Sequence, residues 1–293
     1  MIDSHLHLWD PDRLDYDWLH HVPPIAGRHG PQEWAALRSD IRQAVFVQAD
    51  CAPEQALDEV DWVASLAHPA LDILGIVAFA PLELGDAVTP HLEALQRRPR
   101  VRGVRRSVQN ETDDFILDGR HLDGLVAVAR RGLAIDVCAR DHQLPLLIDL
   151  LGRLFEREPD ARVVLDHLGK PDIAAHAGAI DGAGWADNLR ALAAFPNLFA
   201  KISGLTTQAD WSERRDQTLH PYIDHALDCF GPQRLMFGGD WPVVDLAGGH
   251  ARWRAIFEAA MTSLPSRDRL RIESGTATAF YAPAPERPQE TLP

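Results

Sequence analysis

Cysteine is scarce in this chain: Cys51, Cys138 and Cys229 are its three, widely spaced and without a C-x-x-C pair. That argues against a disulfide framework or a structural zinc site and leaves three core thiols. No apolar stretch reaches the roughly 18 residues that would span a bilayer. No basic segment leads into an apolar one near Met1, so a secretory signal is not expected. Basic residues are the minority, 29 Lys and Arg against 43 Asp and Glu, for a formal net charge of −14. Beyond pairs such as Arg97-Arg98 and Arg105-Arg106 they do not cluster, which makes nucleic acid and anionic membranes poor partners. Together these absences predict a cytoplasmic protein.

What is present is the composition of a globular domain, 46% hydrophobic and 25% charged. Short β-branched runs alternate with amphipathic segments. Candidate strands are Ile2–Leu8, Gln43–Ala49, Leu71–Phe79, Val101–Gln109, Leu133–Arg140, Arg162–His167, Leu198–Ser203 and Arg234–Asp240. Helical spacing is plain from Pro53 to His68, where Ala56, Val60, Val63 and Ala67 recur and Pro53 suits the first turn. Further helices follow Gly85, Arg120, His142, Trp185, Pro221, His250 and Ser266. This alternation predicts an α/β fold, a single-domain (β/α)8 TIM barrel over residues 1–282. A doubly wound open sheet is the alternative, but no G-x-G-x-x-G follows the first strand.

Two connections are long, Trp9 to Asp40 after the first strand and Gly204 to His220 after the seventh. Both belong to the C-terminal face of a barrel, where barrel enzymes build their sites. The 9–40 segment carries Trp9, Tyr16, Trp18 and Trp34. It reads as a lid over the mouth or as a contact in a homo-oligomer, against the plainer reading that its aromatics anchor a long loop. Residues 283–293, with four prolines, read as a tail.

The opening residues "MIDSHLHLWD" place His5 and His7 two apart. Residues i and i+2 of a strand share a face, so the two imidazoles project together while Ile2, Ser4 and Leu6 face the other way. Asp3 is expected on the histidine face, as a supporting partner. The sixth run, "RVVLDHLGKP", stays apolar up to Asp166-His167 and turns at Gly169. The eighth, "RLMFGGDWP", ends in the same way at Asp240, with Gly238 and Gly239 allowing close backbone approach. Each residue taken singly has a structural explanation, such as a helix cap. Four polar groups at strand ends on one barrel face, His5, His7, His167 and Asp240, read as a catalytic set.

At these residues the chain resembles the amidohydrolase superfamily: H-x-H on the first strand, a later strand-end histidine, and an aspartate closing the last. The phrases "GVRRSVQNE", "DHLGKP", "KISGL" and "FGGDWP" look like its sugar-lactonase and pyrone-dicarboxylate lactonase branch, from "DSHLHLW" to "GTATAFYA". The resemblance implies a hydrolase of carboxylic ester bonds that opens sugar-acid lactones of the fuconic or rhamnonic type in carbohydrate breakdown. A metal-dependent amide hydrolase or decarboxylase of a related branch is the alternative enzyme, and a non-catalytic sugar-acid binding barrel the alternative from another class.

One departure bears on the cofactor. Mononuclear members of the superfamily take a metal ligand from the fifth strand, yet "LAIDVCAR" has no histidine, and His167 ends the sixth. Two arrangements stay open: a divalent metal, best zinc, held by His5, His7, His167 and Asp240, or a metal-free site in which the histidines polarise the carbonyl, as the pyrone-dicarboxylate lactonases imply. In both, Asp240 is expected to take a proton from water and return it to the leaving oxygen.

Substrate contacts are sought among inward positions. In "VRGVRRSVQ" alternation sets Val104 and Val108 toward the helices and Arg105 and Gln109 toward the barrel. Gln48, Arg140, Lys201, Trp241 and Trp9 are further candidates, each with a structural polar or packing role as the plain alternative. Lys170 is expected to support the site from behind.

Overall fold

The computed structural model describes residues 1–176, 179–180, 184–211 and 216–282, so the expected tail at 283–293 lies outside the described residues. Eight strands form one parallel sheet in sequential order: β1 (Ile2–Leu6), β2 (Gln43–Val47), β3 (Asp72–Phe79), β4 (Val101–Arg105), β5 (Ala134–Val137), β6 (Val163–Leu165), β7 (Leu198–Ile202) and β8 (Leu235–Phe237). The sheet closes on itself where Leu6 bridges to Trp241, with the His7 amide donating to Trp241 O at 2.8 Å and the Asp240 amide to His5 O at 2.8 Å. This is the expected TIM barrel.

Alternation within the strands divides the apolar residues into two layers. Phe46, Ile76, Val104, Ile135, Leu165, Ile202 and Phe237 face outward and pack against helix residues such as Val60, Leu125, Leu151, Leu189 and Phe257. Ile2, Val45, Val47, Val77, Ala134, Val164 and Met236 fill the interior, sealed by Ala277, Phe280 and Tyr281 of the last helical segment. Arg162, just ahead of β6, donates to Phe280 O at 2.7 Å and fixes that plug at the N-terminal end of the barrel.

The helices form for local reasons. In Leu144–Arg157, Leu144, Leu147, Leu150, Leu151 and Leu154 recur at helical spacing and all are buried, with Pro145 in the first turn. The segment expected as a loop at 9–40 instead holds short helical turns at Asp17–His21, Pro23–Ile25 and Pro31–Ala36. It has a small core of its own, made of Trp9, Leu14, Tyr16, Leu19 and Ile25 packed on Ala49 and Cys51.

Two expectations need correction. Every strand but β3 stops short of its predicted end, and where the chain leaves β6 and β8 at the C-terminal face His167, Leu168, Lys170 and Asp240 all take positive φ. Those left-handed turns aim side chains across the mouth rather than along the sheet. In β1, Ile2 lies in the inner layer and Leu6 in the outer, although they are an even number of residues apart. An irregularity in the β1–β2 register between Asp3 and Leu6 inverts the alternation. Asp3 therefore does not share the face of His5 and His7. Its Oδ1 accepts from the His5 amide at 3.0 Å and the Gly239 amide at 2.7 Å, supporting the seam through backbone. A Cβ at Gly239 would lie 2.2 Å from Asp3 Oδ2, so only glycine fits there.

Candidate active site

At the C-terminal mouth of the barrel, one carboxylate oxygen faces three imidazoles. Asp240 Oδ1 lies 3.6 Å from His7 Nε2 and 4.0 Å from both His5 Nε2 and His167 Nε2. All four residues are at most 5% exposed. His167 reaches the group from a left-handed turn, with Nδ1 2.9 Å from Ser203 Oγ. A Cβ at Gly204, itself at φ +65°, would lie 2.5 Å from that Nδ1.

The ring proton of His7 can be placed. Its Nδ1 is 2.8 Å from Val47 O, and a carbonyl only accepts, so Nδ1 donates and Nε2 is the nitrogen that faces Asp240. His5 has two satisfactory arrangements. With its Nδ1 accepting from Lys201 Nζ at 3.1 Å, its Nε2–H donates to His7 Nε2 at 3.2 Å. With Nδ1–H turned to Asp166 Oδ1 at 3.2 Å, both Nε2 atoms present lone pairs.

That second arrangement decides whether a metal fits. His5 Nε2, His7 Nε2 and Asp240 Oδ1 then converge with no donor among them, an arrangement that a divalent cation satisfies. Their three separations, 3.2, 3.6 and 4.0 Å, lie around the roughly 3.4 Å expected between ligands of a tetrahedral zinc ion. The donor set fits.

Beneath His5 lies a buried charge cluster. Lys201 Nζ is 2.5 Å from Asp136 Oδ2 and 3.0 Å from Asp166 Oδ1, Tyr281 Oη donates to Asp136 Oδ2 at 2.8 Å, and Arg105 Nη1 is 3.4 Å from Asp166 Oδ2. Burial drives the Asp136 carboxyl up to about 6 against the pull of Lys201. Burial acts the same way on Asp166, but Lys201, His5 and Arg105 outweigh it and hold the carboxyl well below the usual range. Burial pushes His5 and His167 well below the ordinary imidazole value. At Asp240 burial is outweighed by His167, His7 and Lys170 together, so its carboxyl sits low and is ionised at neutral pH.

Above the four residues opens a cavity of about 220 Å³, walled by Trp18, Ala49, Asp50, Arg105, Gln109, Asn110, Cys138, Lys170, Thr207 and Val243, with His7, His167 and Asp240 at its floor. Arg105 and Gln109 thus face inward while Val104 and Val108 lie in the outer core. Lys170 Nζ donates to Gln109 Oε1.

Five expected contacts are not on the cavity wall. Lys201 points inward but sits beneath His5, fully buried. Gln48 is one step behind the wall and bonds to Asp50. Arg140 is exposed and donates to Gln109 O at 3.0 Å and Asn110 Oδ1 at 3.2 Å from outside. Trp241 meets His29 and Trp34 edge to face, its carbonyl spent on the barrel seam. Trp9 is buried in the 9–40 core, its Nε1 donating to Gly27 O at 2.8 Å. The aromatic of that segment that reaches the cavity is Trp18, pinned by its Nε1 donating to Ala49 O at 2.8 Å.

Asp50, Asp136 and Asp166 are the residues the sequence reading passed over. A usable signal existed: the chain has only two lysines, Lys170 and Lys201, and both lie at this site. A lysine and an aspartate inside the apolar strands "LFAKI" and "AIDV" call for each other in a closed barrel.

The model of the amidohydrolase family matches residues 2–282. The chain belongs to the amidohydrolase family. Among relatives of this amidohydrolase, an L-fucono-1,5-lactonase of Burkholderia multivorans is 33% identical over 294 residues, covering 96% of this chain and 95% of that one. An L-rhamnono-gamma-lactonase of Scheffersomyces stipitis is 23% identical, covering 96% and 98%. An amidohydrolase of Burkholderia multivorans solved with bound zinc superposes with a TM-score of 0.82 at 32% identity, covering 96% and 98%. No helix among the described residues is long and apolar enough to cross a membrane.

Proposed function

We propose that this amidohydrolase opens the ring of a sugar-acid lactone, of the L-fuconic or L-rhamnonic type, by addition of water to the ester carbonyl. The observation that carries the reading is Asp240 Oδ1, set 3.6 to 4.0 Å from three imidazole nitrogens at the floor of a small polar cavity. The likeness to two sugar lactonases supports it.

In this reading the lactone lies with its carbonyl oxygen toward the imidazoles. Without a cation, an Nε2–H of His5 or His7 carries the polarising role, with His167 closing the third side. A divalent cation held by His5, His7 and Asp240, with His167 beside them, would act as a Lewis acid on the same carbonyl. Asp240, held ionised by its neighbours, takes a proton from the attacking water as the C–O bond forms. It returns that proton to the ring oxygen as the ester C–O bond breaks, leaving the open hydroxy acid. Arg105 and Gln109 hold the substrate from the wall, and Lys170 positions Gln109. The free thiols Cys51, Cys138 and Cys229 fit action in a reducing cytoplasm, in the breakdown of sugars.

The experiment is a panel of hexono- and pentonolactones with the purified protein at mildly acidic pH, where spontaneous opening is slow, following acid release. Catalysed release is expected. Lactones bound but recovered unchanged would make the protein a binding barrel, and turnover of amides without lactones would move it to another branch of the family.

A further inference from the structure

Asp50 stands at the end of β2 on an unusual mount. Gln48, fully buried, grips it at both ends: Gln48 Nε2 donates to Asp50 Oδ1 at 2.9 Å, and the Asp50 amide donates to Gln48 Oε1 at 2.6 Å. The same Gln48 offers its carbonyl to Arg105 Nη2 at 2.6 Å, so one residue ties two cavity walls together. Asp50 has φ +54°, a left-handed conformation that costs a side-chain-bearing residue energy and that Asp and Asn bear best. The two amide bonds hold it there. What this holds in place is an exposed carboxylate on the cavity wall, whose Oδ2 has no protein partner among the described residues.

The cations of the cavity each have a partner before any ligand arrives, with Arg105 Nε still without one among the described residues. Arg105 faces Asp166 and donates to Gln48 O. Lys170 donates to Gln109 Oε1, and its charge helps keep Asp240 ionised. The charge left uncommitted on the wall is negative.

We infer that Asp50, held by Gln48, selects the substrate: it accepts the ring hydroxyls of a neutral polyhydroxylated lactone and turns away lactones that carry a carboxylate. The inference rests on the lactone-opening reading above and adds which lactones the site takes. Hydroxyls donate, and a fixed carboxylate has two oxygens to receive them. A substrate carboxylate only accepts, and beside Asp50 it would meet a like charge, while the charge of Arg105 is balanced by Asp166 and that of Lys170 by Asp240.

The test uses three substrates of one ring size: the aldonolactone turned over fastest in the panel, the aldarolactone that replaces its terminal carbon group with a carboxylate, and the unsubstituted lactone. Wild-type protein is expected to favour the neutral sugar lactone over the carboxylated one by roughly a hundredfold in kcat/KM. Asp50→Asn, which suits the left-handed backbone, should lose roughly tenfold on the aldonolactone relative to the unsubstituted ring, and narrow the neutral-to-carboxylated ratio by a similar factor. Asp50→Gly, equally free to keep that backbone, serves as the second variant and should narrow the ratio further. Variants that leave the ratios where they were, or that depress all three substrates equally, would overturn the role of Asp50 while wild-type turnover still supports the lactonase reading. Wild-type protein that opens none of the three would overturn that reading first, and this inference with it.

Discussion

The Nδ1 of His7 donates to the carbonyl of Val47 at 2.8 Å, and that one bond between β1 and β2 decides which face His7 shows to the cavity. Nε2 of the ring is turned to Asp240 without any mobile group having to choose. The nitrogen that His7 shows to the mouth is therefore oriented before substrate arrives, fixed by the hydrogen bond its other nitrogen makes.

Asp240→Asn should abolish most lactone turnover, by about 10²- to 10⁴-fold in kcat, because the amide cannot take the proton of the attacking water. Asn tolerates the φ of +55° at this position, so the far-UV circular dichroism and melting temperature should stay close to those of the wild type. A variant retaining wild-type rate would remove Asp240 from proton transfer.

Metal content divides the two forms of the mechanism. The inward position of β5 holds Asp136, committed to Lys201, and the Lys201 ammonium lies 3.1 Å from His5 Nδ1, opposing a dication next door. Elemental analysis should find less than one zinc per chain, and activity should survive dialysis against a chelator. One tightly held zinc per chain, with activity lost on its removal and restored on its return, would make the four residues metal ligands first.

Glu59 offers a test of stability away from the chemistry. It is fully buried beneath the 9–40 segment, Oε1 accepting from the Ala49 amide at 3.1 Å and Tyr16 Oη at 3.4 Å, while Oε2 has no partner among the described residues. Burial pushes its carboxyl up to about 8 from the ordinary 4.5. Between those values the folded chain holds a proton that the unfolded chain has released, so this group's contribution to stability falls as pH rises through the window and levels off above it. Glu59→Gln should remove the dependence and, at pH 9, stabilise the protein over wild type by about 2–4 kcal/mol in urea unfolding, with little difference near pH 4. Wild-type and variant curves running parallel across that range would place the Glu59 proton elsewhere.

The fold and the four polar groups at the mouth were legible because they depend on alternation and on strand ends, which the residue pattern carries directly. His5, His7, His167 and Asp240 needed nothing more than their place at the end of a run. Depth was not legible. Parity says that Lys201 points inward, but only the stagger of neighbouring strands puts it under His5 rather than beside the substrate. Trp9 and Trp18 belong to one aromatic segment, and which of them reaches the cavity depends on how that segment folds on Ala49 and Cys51. Asp3 was misplaced for a different reason: one irregularity in β1 inverts the alternation on which its assignment relied.

The closing seam has a consequence for how the protein comes into being. Asp3 bonds to the amide of Gly239, 236 residues away, and Ser4 to the carbonyl of Phe237, 233 residues away. The histidines of β1 leave the ribosome long before the carboxylate they face, which comes with β8. Until that strand emerges, β1 waits with buried-type polar groups and an open sheet edge, a slow and aggregation-exposed interval for a topology with such long-range pairing. Circular permutation that joins β8 directly ahead of β1 would shorten that wait without altering a single residue of the mouth.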